Sequence, residues 1–187
     1  LFHAAAHKHV TLVEQNYFEG FINNVLGTLY LTKNAINNKI LNFVLISTDK
    51  AVEPKNMMGA TKRISEMILQ GLSQKNQNIN FSIVRFGNVL GSSGSVVPIF
   101  KDQIKNGGPV KVRDKRLTRF FMTISEAAEL VIQASGLNKK FSIFYLDMGK
   151  PVKILDLAKK MILLSGSQIY NSTNKNGIKI IFDGLKP

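Results

Sequence analysis

The sequence contains no cysteine, so a disulfide framework, a thiolate zinc site and a cysteine nucleophile are excluded together, and a reducing compartment fits. No apolar run approaches the roughly 18 residues that a membrane span requires. Acidic residues are scarce: 12 Asp and Glu stand against 25 Lys and Arg, a formal net charge of +13. Such an excess favours anionic partners (phosphates, nucleic acid or a lipid surface) without choosing among them. The charge is spread as lysines among many asparagines, with no dense basic run and no basic stripe interleaved with aromatics, which argues against a nucleic-acid partner. Internal repeats, low-complexity segments and the glycine fingerprint of a first dinucleotide-binding turn are also missing. What remains is a chain of 187 residues, 44% hydrophobic and 20% charged, a globular composition long enough for one or at most two cores.

Phe43 to Ser47 (FVLIS) is a short apolar run rich in β-formers, and Ile64, Met67, Ile68 and Leu72 recur at helical spacing. The same reading predicts a helix over Gly20 to Asn34, a helix from about Met58 to Ser73 and a strand over Phe81 to Gly87. Strands alternating with helices imply an α/β fold with a parallel sheet. After Gly91 the composition turns to Gly, Ser and Pro, followed by a predicted helix (Val97 to Lys105), a turn at Gly107 to Pro109 and short strands. Ser125 is expected to cap a helix carrying Glu126 and Glu129, and Phe141 to Met148 reads as a buried strand. Ile154, Leu157, Ala158, Met161 and Ile162 form a last apolar stripe. The chain opens on Leu1 with what reads as a strand end and closes on IKIIFDGLKP, so it is expected to be part of a longer protein, poorly stable and inactive by itself.

In an open parallel sheet, ligands sit beyond the carboxyl ends of the strands. After FVLIS come Thr48, Asp49 and Lys50, an acid beside an amine whose pKa values each modifies in the other; a solvated loop ion pair has the same sequence. Met58 and Lys62 are one helical turn apart on one helix face. A Tyr at the first of these positions would serve a dinucleotide-dependent reductase as base, and a thioether cannot exchange that proton. Asn88 and Ser95 lie in FGNVLGSSGS, whose glycines and serines let backbone amides approach an anion; a flexible interdomain loop reads the same way. Arg119 has the fork geometry that clamps a diphosphate, and equally that of a surface residue. His7 and His9 are two apart with no third ligand in view, so no metal is expected. Ala4, Ala5 and Ala6 let either a flat cofactor or a helix pack close.

Taken together, FHAAAHKHV, NNVLGT (Asn23 to Thr28), ISTDKAVEP (Ile46 to Pro54), MMGATKR (Met57 to Arg63), VRFGNVLGSSGSVVPIF (Val84 to Phe100), TRFFMTISEAAELV (Thr118 to Val131), LDMGKPVKILDLA (Leu146 to Ala158) and FDGLKP resemble the extended short-chain dehydrogenase/reductase family. The resemblance is to its UDP-N-acetylglucosamine 4,6-dehydratase branch, from polysaccharide and glycan biosynthesis. It covers nearly the whole chain. It implies a partial Rossmann-type, doubly wound parallel sheet entered at about the fourth strand, with a smaller α/β substrate-binding lobe. Residues 1–90 would complete the NAD(P) domain and 91–187 would mainly form the nucleotide-sugar lobe, with 141–148 returning to the main sheet.

The activity implied by the resemblance is redox-neutral dehydration of UDP-GlcNAc to a UDP-4-keto-6-deoxy-HexNAc, with NAD or NADP tightly bound and recycled. Lys50 would remove the C5 proton, Asp49 would protonate the departing C6 hydroxyl, and Thr48 would bond the C4 oxygen. Lys62 would hold the nicotinamide ribose; Ala5, Ala6 and Lys8 would border the cofactor; Asn88, Ser95 and Arg119 would fix the UDP-sugar. Met58 in the usual Tyr position is similar to the larger membrane-anchored dehydratases, which leaves room for an anchor before Leu1 and places the protein in the cytoplasm or on the cytoplasmic side of the inner membrane. A homo-oligomer is implied as well. Lys186 stands where the family usually has Arg before Pro-Gly-Glu-Lys. The alternatives are a UDP-sugar 4-epimerase-type relative and a sugar-nucleotide-binding module without catalysis.

Overall fold

The computed structural model describes residues 1–137 and 140–184, which divide into two units: 1–87 with 125–147, and 88–124 with 148–187. The first unit is built on a four-stranded sheet of β1 (Phe2–His3), β2 (Asn42–Thr48), β3 (Asn80–Phe86) and β8 (Phe141–Tyr145), in the order β1-β2-β3-β8. All its pairings are parallel, and β2 runs beside β3 from Asn42↔Asn80 to Thr48↔Phe86. Alternation sorts the side chains: Phe43, Leu45, Phe81 and Ile83 form one core with Ala35, Leu69 and Ile79, and the four strand residues are wholly buried. Each such side chain contributes on the order of 1.5–3 kcal/mol.

Two helices supply the cover on that face. Gly27–Asn37 (α3) follows α1 (Val10–Gln15), α2 (Tyr17–Phe21) and a π-helical turn at Ile22–Leu26. The helical path therefore begins ten residues before the expected Gly20. Gly20 is a packing glycine inside it, since a Cβ there would lie 2.7 Å from Val13 Cγ1. Met57–Lys75 (α4) starts at Asn56, whose side-chain oxygen accepts from the Gly59 amide at 2.8 Å. Along α4 the buried stripe opens on Met58, is polar at Thr61, Lys62, Ser65 and Glu66, and is apolar again at Leu69. Helical spacing thus buries two opposite charges, Lys62 and Glu66, one turn apart on the sheet side.

Two expectations in this unit are corrected. The strand expected to be buried over 141–148 ends at Tyr145, and Ile143 and Tyr145 are 42% and 59% exposed. It is the edge strand, paired with β3 alone, so one face carries apolar side chains without cover. The helix expected to be capped by Ser125 is α6 (Ile124–Gly136), which starts one residue earlier and places Ser125 inside its first turn.

The second unit contains the short pairs β4 (Asn88–Val89) with β7 (Phe121–Met122), β5 (Val110–Val112) with β10 (Ile180–Phe182), and antiparallel β6 (Thr118–Arg119) with β9 (Val152–Lys153). Its core joins Phe100 of α5 (Val96–Lys105) to Val110, Val112, Ile178 and to Ile154, Ala158 and Ile162 of α7 (Ile154–Leu164). Met161 packs against this core as its place in the stripe predicts, and with Leu157 it also lines an open apolar groove of about 520 Å³ beside Leu90, Val97, Ile104 and Leu164. Gly107 and Gly108 enter β5 with φ of +80° and +88°, and a Cβ on Gly108 would sit 2.9 Å from Ile178. Among the described residues no helix is long and apolar enough to cross a membrane.

Candidate functional site

Where β2 ends, the chain tightens into a 3-10 turn at Asp49–Ala51. Asp49 Oδ1 accepts from the Thr48 hydroxyl at 2.8 Å and from Lys50 Nζ at 2.9 Å. Both charged side chains are about one third exposed (33% and 31%), so the pair faces solvent while its geometry is set by its neighbours. Asp49 Oδ2 has no protein partner among the described residues. The turn is braced from α4: a Cβ on Gly59 would stand 2.5 Å from the Lys50 carbonyl oxygen, so only glycine permits this approach. The turn thus sets a carboxyl group and an amine side by side at the carboxyl end of a parallel strand.

Met58 is buried on the same face of α4 as Lys62. Lys62 is 7% exposed, and no acceptor among the described residues hydrogen-bonds its amine. Burial brings its pKa down from 10.5 to about 8, against the pull of the Glu66 carboxylate. Glu66 is almost fully buried and is gripped by four donor contacts: Ser47 Oγ at 2.6 Å and Arg85 Nε at 2.8 Å on one oxygen, Arg85 Nη2 at 2.6 Å and Arg63 Nη1 at 3.1 Å on the other. Burial alone would raise its pKa, but the hydrogen bonds from Arg85 and Ser47 hold it below the ordinary carboxylate range.

β1 covers only Phe2 and His3, so Ala4, Ala5 and Ala6 form a loop beyond the strand. Ala5 and Lys8 are exposed and Ala6 is half-buried. The loop is held by Asn24 in the π-helical turn: its Oδ1 accepts from the His7 amide at 2.7 Å and its Nδ2 donates to the His7 carbonyl at 3.0 Å and to Thr61 Oγ1 at 3.0 Å. One buried amide therefore fastens the β1 loop to α4. π-helical turns recur at functional sites. His3 Nε2 meets Thr28 Oγ1 at 2.9 Å, and that hydroxyl already donates to the Asn24 carbonyl at 2.6 Å. His3 is accordingly the donor, with its proton on Nε2. Burial first, and the Lys62 charge second, pull its pKa down to about 4, so it is neutral at pH 7.

Asn88, Ser95 and Arg119 belong to the second unit. The Asn88 side chain donates to the Phe120 carbonyl at 3.4 Å. Arg119 is exposed and donates from Nη1 to the Thr118 carbonyl at 2.8 Å. Ser95 precedes α5 without capping it, and its buried hydroxyl has no hydrogen-bond partner among the described residues. Gly91 and Gly94 in the same loop have φ of +74° and +66°. Lys186 lies outside the described residues. No group of three His, Asp or Glu able to hold a metal occurs among the described residues.

Reading the sequence did not single out Asn24, His3, Ser47, Glu66 or Arg85. A signal existed for three of them: Glu66 is one turn from Lys62, and Ser47 and Arg85 continue the Phe43/Leu45 and Phe81/Ile83 alternation onto the α4 side. His3 and Asn24 are joined to the site only by tertiary hydrogen bonds.

A family described as polysaccharide biosynthesis protein matches residues 1–187. The capsular polysaccharide biosynthesis protein CapD of Staphylococcus aureus is 54% identical over 187 residues, all of this chain and 30% of that protein. The probable polysaccharide biosynthesis protein EpsC of Bacillus subtilis is likewise 54% identical over the whole chain and 30% of its own length. A UDP-glucose 4-epimerase of Rickettsia rickettsii is 34% identical across 94% of this chain and 50% of the epimerase. The chain thus spans about a third to a half of the length of these curated relatives. Among solved structures, Pen from Bacillus thuringiensis superposes with a TM-score of 0.87 at 37% identity, over 100% of this chain and 56% of Pen. The dTDP-glucose 4,6-dehydratase DesIV of Streptomyces venezuelae, solved with NAD and TYD, gives 0.80 at 18% identity over 98% of this chain and 64% of that one. That likeness speaks for the fold. The architecture is a Rossmann-type parallel α/β sheet with a smaller α/β unit, as the resemblance implied.

Proposed function

The chain belongs to the polysaccharide biosynthesis protein family, and from that membership we propose that the intact protein is a nucleotide-sugar 4,6-dehydratase acting on UDP-GlcNAc. The observation that carries this reading is the 2.9 Å contact between Lys50 Nζ and Asp49 Oδ1 at the carboxyl end of β2. Elimination across C5 and C6 needs a neutral amine to take the C5 proton and a carboxylic acid to give one to the C6 hydroxyl. On this reading Lys50 is the base at C5 and Asp49 the acid at the C6 hydroxyl, two roles carried by adjacent side chains at one strand end. Thr48, whose hydroxyl donates to Asp49 Oδ1 at 2.8 Å, keeps that carboxylate in register, and on this reading its oxygen would meet the C4 hydroxyl.

NAD or NADP fits the first unit, because Lys62 is a buried cation lacking a protein acceptor and the loop after β1 leaves Ala5 open at a strand end. When bound, the nicotinamide would supply hydride exchange at the sugar, oxidising C4 to make the C5 proton acidic. Lys62 would hold the nicotinamide ribose, and Ala5, Ala6 and Lys8 would border the cofactor. Buried Met58 cannot take the C4 hydroxyl proton, which passes to Thr48, Asp49, Lys50 or water. On the same reading Asn88, Ser95 and Arg119 bind the UDP-sugar. Exposed Leu12, Tyr17, Phe18, Tyr30 and Met67 on α1 to α4 support a homo-oligomer, since apolar groups of this size are rarely left to water in a monomer.

A 4-epimerase is the second reading, favoured by the 34% identity to the Rickettsia epimerase. Turnover of UDP-GlcNAc by the full-length protein in deuterated water separates the two. Dehydration places solvent deuterium at C5; simple 4-epimerisation does not. Lys50→Ala is expected to lower dehydration by roughly 10²–10⁴-fold, the usual contribution of a positioned acid or base. Unchanged turnover in that variant would remove the assignment of the C5 base.

A further inference from the structure

We propose that Glu66 is a positioning residue that acts through Lys62: a clamped, buried carboxylate one helical turn away that keeps the Lys62 amine charged and aimed for an anionic or hydroxyl-bearing ligand. The inference rests on the reading of Lys62 as the ribose-binding group for its purpose, and on geometry for its existence. All the hydrogen bonds to Glu66 come from Ser47, Arg63 and Arg85, and none from Lys62. Its carboxylate is therefore fixed in place, and its charge reaches Lys62 through space, along the i, i+4 spacing of α4. Lys62 in turn is 7% exposed as a residue, and that burial works against its charged form while the Glu66 charge works for it.

The groups that face Lys62 are few. From α4 it sees Glu66, the one charge that supports its protonated form; from β1 it faces His3, which is neutral at pH 7 and so does not repel it. Arg85 and Arg63 point their guanidinium groups at Glu66. Arg85 and Ser47 hold Glu66 ionised, Glu66 offsets part of the burial of Lys62, and no hydrogen bond to a protein acceptor among the described residues occupies the amine.

The test measures the Lys62 amine directly. Lysines of the full-length protein are reductively methylated with ¹³C-formaldehyde, the Lys62 resonance is assigned by its loss in Lys62→Arg, and its titration is followed by NMR. The native midpoint is expected near pH 8. Glu66→Gln keeps the shape and loses the charge, and is expected to lower the midpoint by about one unit or more. Glu66→Asp keeps the charge in a shorter side chain and is expected to stay closer to native. A role confined to packing predicts the reverse ranking, because Gln is the better isostere.

Should Glu66→Gln fail to fold, the Glu66→Gln/Arg85→Gln pair removes the stranded cation and asks the same question. An unshifted midpoint in whichever of these folds overturns the proposal. NADP⁺ and NAD⁺ binding at pH 7.5, followed by ligand fluorescence or calorimetry, separates the two layers. Weaker binding together with a lowered midpoint is the expected result. A lowered midpoint with unchanged binding leaves the electrostatic inference standing and removes Lys62 from the ribose.

Discussion

Two ion pairs lie near the carboxyl ends of adjacent strands, β2 and β3, and differ in almost everything else. Asp49 and Lys50 are adjacent in sequence, one third exposed, and joined by a single 2.9 Å contact. The Glu66–Arg85 pair joins α4 to β3 and is buried, bidentate and extended by Ser47 and Arg63. Exposure sets what each can do. A solvent-facing pair is worth about 0–1 kcal/mol to stability and leaves its polar atoms open to a ligand. A buried fork with every oxygen occupied cannot exchange protons without breaking the fold, but it projects a fixed charge onto its surroundings.

The sharpest way to break this contrast is to remove one member of each pair. Glu66→Ala strands buried Arg85 and is expected to cost about 3–5 kcal/mol, read as a lower urea midpoint. Lys50→Ala is expected to cost less than about 1 kcal/mol in the same measurement. Comparable losses in both would show that burial does not separate the two pairs.

Glycines of α4 sharpen the comparison at the next level. Gly59→Ala forces a Cβ to within 2.5 Å of the Lys50 carbonyl, whereas Gly71→Ala meets nothing within 4 Å. The first is expected to destabilise by about 1–3 kcal/mol and to depress turnover by displacing the Lys50 turn. The second is expected to be stabilising by up to about 1 kcal/mol, through helix propensity. Equal turnover in the two variants would disconnect the α4 start from the Asp49–Lys50 turn.

The smallest expected effect is a pH dependence on the buried side. The folded pKa of His3 is lowered from 6.5 to about 4, so between those values the unfolded chain binds a proton that the folded chain does not. Stability therefore falls as pH drops through that window and is unaffected by His3 above it. Glu66, held below the ordinary carboxylate range, adds its own loss only at still lower pH. Urea midpoints at pH 7 and pH 4.5 are expected to differ more in the native protein than in His3→Gln. An equal difference in both would show that the Thr28-bonded imidazole takes its proton without penalty.

Much of the framework was legible from residue patterns. The apolar runs of β2 and β3 and the helical spacing of α4 were located to within a few residues, because alternation and a period near four survive whatever surrounds them. The residues at the β2 end stood out because charge at a strand terminus is unusual. What escaped notice has a common cause. Val13 and Gly20 interlock across helical turns, so the early helices were not anticipated. Phe141 to Met148 has the composition of a central strand, yet its edge position depends on which strands pair with it. Asn24 looks like any asparagine among many, and only its three hydrogen bonds to the His7 backbone and Thr61 distinguish it.

The linear order of residues therefore determined the parallel α/β class, the placement of Asp49 and Lys50 directly after a strand, and the shared helix face of Met58, Lys62 and Glu66, since these follow from chain periodicity and covalent adjacency. Tertiary structure alone decided which charges became structural and which stayed reactive. Solvent access and the number of donors around a carboxylate are properties of packing, and residues as far apart as His3, Ser47, Glu66 and Arg85 acquire their character only when the fold brings them to one place and removes the water between them.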